Sequence, residues 1–218
     1  MIRCFHGSSE GGRRRRDGSP RRARPLLALL GVAAGLVLRV PGAEGATLTT
    51  AALLDTLQHT AFDYFWNEAN PANGLVKDRS TPGSPCSIAA LGFGLTAVCA
   101  GIDHGWVTRD AGRNRVLAAL QTLWTKPQGS GASGFIGYKG LYYHFLDMST
   151  ALRTWNSELS TIDTALLFAG VLDAKQYFST SDPQDVQVRA LADSIYYRAN
   201  WEFMRNLNPG ILMGWKPV

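Results

Sequence analysis

The stretch Trp155-Asn156-Ser157-Glu158-Leu159-Ser160-Thr161-Ile162-Asp163 sets two carboxylates, Glu158 and Asp163, on either side of a Ser-Thr pair that opens an apolar run. Two carboxylates flanking one bond are the apparatus of glycoside hydrolysis: one donates a proton, the other acts as base or nucleophile. The same spacing also suits a plain helix start, with Ser160 as N-cap and Asp163 three residues on. For Glu158 two tendencies oppose each other. A helix N-terminus favours its charged form, whereas burial beside Trp155 favours the neutral one. The sequence leaves that contest open. A second group, Tyr142, Tyr143, His144 and Asp147, offers flat rings for stacking on sugars, or alternate residues for a core. Asp78 and Arg79, in NGLVKDRS, suit hydroxyl binding or a solvated turn. His59 and His104 stand alone, with no nucleophile to activate. No phosphate loop, dinucleotide fingerprint or Cys/His zinc spacing occurs, so neither metal nor cofactor is expected.

These side chains must be held by helices. Leu53, Leu54, Leu57, Ala61, Tyr64 and Phe65 recur at helical spacing behind Thr49-Thr50, predicting a helix to about Ala69 that Asn70-Pro71 ends. Ser87–Ala100 is apolar on nearly every face, which predicts a helix buried all round. A third helix is expected from Thr108 to about Trp124. The Gly/Ser-rich segment that follows is not helical; Phe135-Ile136 and Leu141–Phe145 flank Lys139-Gly140, which predicts a short β-hairpin in a long loop. A fourth helix follows Ser160 and is expected to bury Ile162, Leu166, Ala169 and Leu172. A fifth starts at Asp182-Pro183, a cap followed by an N1 proline. It is expected to bury Val186, Ala190, Leu191, Ile195 and Tyr196 and to continue past Trp201. The class is all-α.

The chain has 218 residues and a net charge of +5. Its 45% hydrophobic and 18% charged residues exclude a disordered chain. The positive charge is local. Residues 1–45 carry nine basic and three acidic side chains, whereas the other 173 carry 13 and 14, a net of −1. Nucleic acid is therefore not an expected partner. The Arg cluster precedes the apolar run Leu26–Leu38, 13 residues long, too short for the roughly 20 that span a membrane. A basic region, a short apolar run and a small-residue exit describe a signal peptide, cleaved near Gly45. Arg21-Arg22 allows a twin-arginine variant, although its neighbours fit poorly. The expected domains are thus a leader, 1–45, and an exported chain, 46–218, periplasmic or secreted. Cys86 and Cys99 are too far apart along one helix for a disulfide and are expected to be small buried hydrophobes.

Four blocks in order, FDYFWNEANPANGLVKDRS, SIAALGFGLTAVCAGIDHGWVTRDAGRNRVLAAL, GLYYHFLDMSTALRTWNSELSTIDTALLFAGVL and MGWKP, resemble the bacterial glucoamylase-like (glycoamylase-like) domain. That family is related to endo-β-1,2-glucanases and to a module of cyclic β-1,2-glucan synthases. The resemblance implies an (α/α)6 toroid acting on β-glucan through paired carboxylates, by an inverting route without metal. It implies Glu158 as a catalytic or subsite carboxylate, acid or base, with Asp78, Arg79, Tyr143, His144, Trp155 and Asp163 at the sugar. A toroid of that kind needs roughly twice the length available. The expectation is therefore about the first half of a toroid, with uncovered apolar faces and a second carboxylate beyond Val218, and so an incomplete site. A non-catalytic carbohydrate-binding protein and a helical scaffold are the alternatives; the oligomeric state is left open.

Overall fold

A computed structural model describes residues 48–205, 207 and 209–217; the leader expected at 1–45 lies outside them. In chain order the elements are α1 (Thr50–Asn67), β1 (Cys86–Ser87), α2 (Ile88–Asp103), α3 (Arg109–Thr125), β2 (Gly137–Tyr138), β3 (Leu141–Tyr142), β4 (Phe145–Leu146), β5 (Leu159–Ser160), α4 (Thr161–Tyr177), α5 (Pro183–Tyr197), α6 (Trp201–Arg205) and β6 (Gly214–Trp215). Four of the five long helices start at a side-chain cap, whereas α2 follows Ser87, which makes no side-chain cap bond. Thr49, Thr108, Ser160 and Asp182 accept from the backbone N–H of Ala52, Ala111, Asp163 and Gln184, satisfying donors that a helix start leaves orphaned.

The core is built on α2 packed against α4, with α1 and α3 also on α2, and α5 against α3 and α4. Two glycines permit the central contact. A Cβ on Gly170 of α4 would collide with Gly92 of α2, and one on Gly92 with Leu166 and Leu167. The backbones therefore touch, which brings Leu91, Leu95, Leu167, Phe168 and Val171 into one cluster. α2 is not buried all round: Phe93, Thr96 and Ala100 form an exposed strip. On α4 the expected face is wrong. Thr164, Leu167, Phe168, Val171 and Ala174 are buried, whereas Ile162 and Leu172 are exposed. On α5 Ile195 is buried as expected, but its inward partners are Val188 and Ala192, while Val186, Ala190 and Tyr196 are exposed. That helix stops at Tyr197. Asn200 then caps a separate short turn through a bond from Phe203 N–H (3.0 Å). Leu53, Leu54 and Leu57 of α1 are exposed too.

The expected hairpin is present but shorter. β2 and β3 pair as Gly137↔Tyr142 and Tyr138↔Leu141. Lys139 and Gly140 between them both have positive φ, as a type I′ turn requires. Two further antiparallel pairs, β1 with β4 and β5 with β6, tie the loops to the helix starts. Cys86 lies in β1 and Cys99 in α2; both are free and buried, and burial pushes each thiol up to about 12. Among the described residues, no helix is long and apolar enough to cross a membrane.

Candidate functional site

The segment Tyr143–Phe145 lies between two others. Its Tyr143 bridges Leu159, the His144 N–H donates to the Glu158 carbonyl (2.8 Å), and the His144 carbonyl accepts from Ile88 N–H (3.1 Å). On its other edge, β5 pairs with β6, setting Leu159 against Trp215 and Ser160 against Gly214. Glu158 therefore sits on extended chain immediately before β5, which runs straight into α4. Gly214 makes room for it: a Cβ there would lie 2.8 Å from Glu158 Cγ, closer than carbon atoms tolerate.

His144 links the two carboxylates. Its Nδ1 lies 3.1 Å from Glu158 Oε1, and its Nε2 lies 3.6 Å from Asp163 Oδ2. Asp163 is held in turn by the cap: its N–H donates to Ser160 Oγ, and its carboxylate accepts from the Ser160 hydroxyl. Both readings of Asp163 thus hold at once, because the capping acid also faces the histidine. Burial raises the pKa of Glu158. Backbone hydrogen bonding, the bond to His144, the pull of His144 when protonated and the charge of Lys216 outweigh it, and the net displacement is downward. The contest left open in the sequence goes to the ionised form. Glu158 is suited to accept a proton or a sugar hydroxyl, and unsuited to the role of an acid with raised pKa.

An aromatic row leads outward from this group. The His144 ring stacks on Phe145 at 3.9 Å and 16°. Phe145 in turn meets Trp155 at 5.2 Å. Trp155 itself is 61% exposed. The row ends in an indole open to solvent, a surface suited to the C–H face of a sugar ring.

The other sequence candidates divide. Tyr143 does not face this group: it is wholly buried, with the Arg153 guanidinium 4.6 Å over its ring. It belongs to the core, since the Tyr143–Leu159 pairing turns it away from the His144 side. Asp78 and Arg79 pair with each other, Nη2 to Oδ2 at 2.6 Å, on the loop before β1; no contact carries them to Glu158 or His144. Asp147 accepts from the backbone and hydroxyl groups of Ser149 and Thr150. Those bonds, the Ser149 hydroxyl foremost, lower its pKa to about 2, and its role is to fix a turn. His59 and His104 sandwich Trp106 at 4.5 and 4.4 Å. Phe145, Lys216, Gly214 and Arg153 went unnoticed in the sequence. All four fall inside the blocks that carry the resemblance, Phe145 and Arg153 in the third and Gly214 and Lys216 in the last, but nothing in their local pattern singled them out. No group of three or more metal-ligating side chains occurs among the described residues.

No family model matches the chain. It is 30% identical over 179 residues, 78% of its length, to an exo β-1,2-glucooligosaccharide sophorohydrolase (non-reducing end) of Parabacteroides distasonis, covering 23% of that protein. Among solved structures, it is similar to a β-1,2-glucanase from Parabacteroides distasonis (26% identity, TM-score 0.70, 78% of this chain and 24% of that one). It is also similar to a glucoamylase-like protein from Bacteroides uniformis (28% identity, TM-score 0.69, 78% and 41%). The helices have the arrangement of the (α/α)6 toroids of such proteins. The chain spans less than half the length of each of these relatives.

Proposed function

We propose, for a chain whose relatives are β-1,2-glucanases and glucoamylase-like proteins, that it carries part of a carboxylate site for hydrolysing β-glucan, with β-1,2-linked glucose as the substrate class. One observation carries this reading: the Glu158 carboxylate meets His144 at 3.1 Å, at the inner end of the aromatic row that Trp155 opens to solvent. In this reading Glu158 acts in its charged form, as the base on water or as the acceptor of a sugar hydroxyl. His144 fixes its direction, Asp163 fixes His144, and Trp155 carries a sugar ring. Asp78 and Arg79 bind further along the glucan, through the hydroxyl acceptors and donors that their mutual pairing leaves exposed. The proton donor comes from elsewhere in the site.

The test is linkage discrimination by the whole chain. Titration with β-1,2-glucooligosaccharides should show binding, and release of reducing sugar is expected only from a protein that also carries the rest of the site, with its proton donor. Equal response to β-1,3- or β-1,4-linked oligosaccharides would reject the substrate class. We also place the mature chain outside the cytoplasm, periplasmic or secreted, on the strength of the Arg cluster and the Leu26–Leu38 run. Mass spectrometry of the exported protein should find its N-terminus within a few residues of Ala46; retention of Met1 would count against export by this leader.

A further inference from the structure

We infer that Arg153 is a positioning residue for the sugar: it holds Trp155 in a strained turn so that the indole stands beside the Glu158 group as a stacking platform. The inference deepens the glucan reading and rests on it. Trp155 and Asn156 have φ of 55° and 51°, the left-handed region. A residue with a Cβ is strained there by about 1–2 kcal/mol, and a bulky one is a genuine outlier. Two in succession persist only where the surroundings over-determine the backbone.

Arg153 supplies that constraint. It is 9% exposed. Its Nε donates to the Ser157 carbonyl (2.6 Å), Nη1 to the Ala132 carbonyl (2.7 Å) and Nη2 to Asn156 Oδ1 (2.8 Å). Its own N–H donates to the Phe135 carbonyl (2.9 Å), and its guanidinium lies over Tyr143. Ser157 is tied down from the other side, its hydroxyl bonded to both the N–H and the carbonyl of Phe145. The turn is thus fixed at both ends. A rigid planar fork reaches three oxygens in set directions; a lysine ammonium on a flexible stem does not.

What this constraint displays is an exposed indole. Packing offers no reason to strain a backbone and then leave a large apolar ring in water. Stacking of a ligand offers one. The ring nearest to Trp155 leads through His144 to Glu158, so the ligand is the sugar ring next to the carboxylate group.

The test is a double-mutant cycle on the whole chain, reading the Kd for a β-1,2-glucooligosaccharide by calorimetry and the melting temperature in parallel. Trp155→Ala and Arg153→Lys should each weaken binding by about threefold to tenfold, the size of one aromatic stacking contact. The double variant should bind no more weakly than Trp155→Ala alone, because Arg153 acts through Trp155. Asn156→Gly in the Arg153→Lys background should recover most of the loss, since glycine takes the left-handed conformation without strain. A purely structural Arg153 would lower the melting temperature and leave the Kd of the folded protein unchanged, which would overturn the inference. So would losses that multiply in the double variant. Failure of the wild-type chain to bind removes the glucan reading and this inference together; binding with an additive cycle removes the role of Arg153 alone.

Discussion

In a protein that carries the complete site, Glu158→Gln is expected to lower the release of reducing sugar from β-1,2-glucooligosaccharides by about 10²–10⁴-fold, the contribution of a positioned general base or acid. The substitution keeps shape and volume and removes only the charge. Glu158 is about a third exposed and belongs to no buried ion pair, so the melting temperature should hardly move. The carboxamide can still meet His144, and Trp155 is untouched, so oligosaccharide affinity should stay within a few-fold. The loss therefore belongs in kcat. The pH profile adds an independent check. His144 and Lys216, with backbone hydrogen bonding, hold Glu158 ionised below its ordinary range against the opposing effect of burial. A base must be ionised to work, so the acid limb of wild-type kcat/KM should have its midpoint below the ordinary glutamate value near 4.3. The variant should lack that limb. Unchanged kcat in Glu158→Gln would sink the catalytic assignment and leave Glu158 as a hydroxyl acceptor.

The parts legible in the sequence are those fixed by local chemistry. Ser160 and Asp163 announced the start of α4 because a cap needs only a side-chain oxygen and three residues of spacing. Lys139-Gly140 announced the hairpin because positive φ restricts the residues that fit. The buried face of α4 was not legible. Ile162, Leu166, Ala169 and Leu172 make one apolar stripe, and Leu167, Phe168, Val171 and Ala174 make another. The choice is made by Gly170 meeting Gly92 on a helix more than sixty residues away. The same limit misplaced Tyr143. Neighbouring residues in extended chain face opposite ways, and nothing local says which of Tyr143 and His144 turns inward; the pairing of Tyr143 with Leu159 decides it. Arg153 escaped notice because its three acceptors are oxygens of other residues' backbone and of Asn156, contacts that leave no charge pattern in the sequence. Among the site residues, Glu158, His144, Asp163 and Trp155 were readable as types and are joined in one group, whereas Asp78 and Arg79 stand apart from it.

Asp185→Asn is expected to be the most damaging change to stability, by about 3–5 kcal/mol, the cost of breaking a buried ion pair by removing one partner. Asp185 is wholly buried at the α3–α5 contact. It accepts from Arg109 Nη2 (2.7 Å), Arg113 Nη1 (3.1 Å) and the Thr180 hydroxyl (2.7 Å). Arg113 is itself only 8% exposed on its side chain; Asp110 and Asp182, which also pair with it, are far more open to water. Removing the Asp185 charge leaves the Arg113 guanidinium buried with only those solvated partners. For a domain of this size, each kcal/mol lowers the melting temperature by roughly 2–4 °C, so a fall of about 6–20 °C should be seen. The sign with pH follows from the same contacts. Burial raises the pKa of Asp185, but the bonds from Thr180, Arg109 and Arg113 outweigh it and lower it to about 2. In the unfolded chain it titrates near 3.9. The stabilisation is therefore fully present above about pH 5 and lost progressively as pH falls towards 2. Denaturant midpoints for the wild type should drop across that window, while those of Asp185→Asn, already low at pH 7, should drop less. Equal midpoints at pH 7 would show that Asp110 and Asp182 suffice for Arg113, and that the helix contact is held by Val188, Ala192 and Ile195 packing on the core instead.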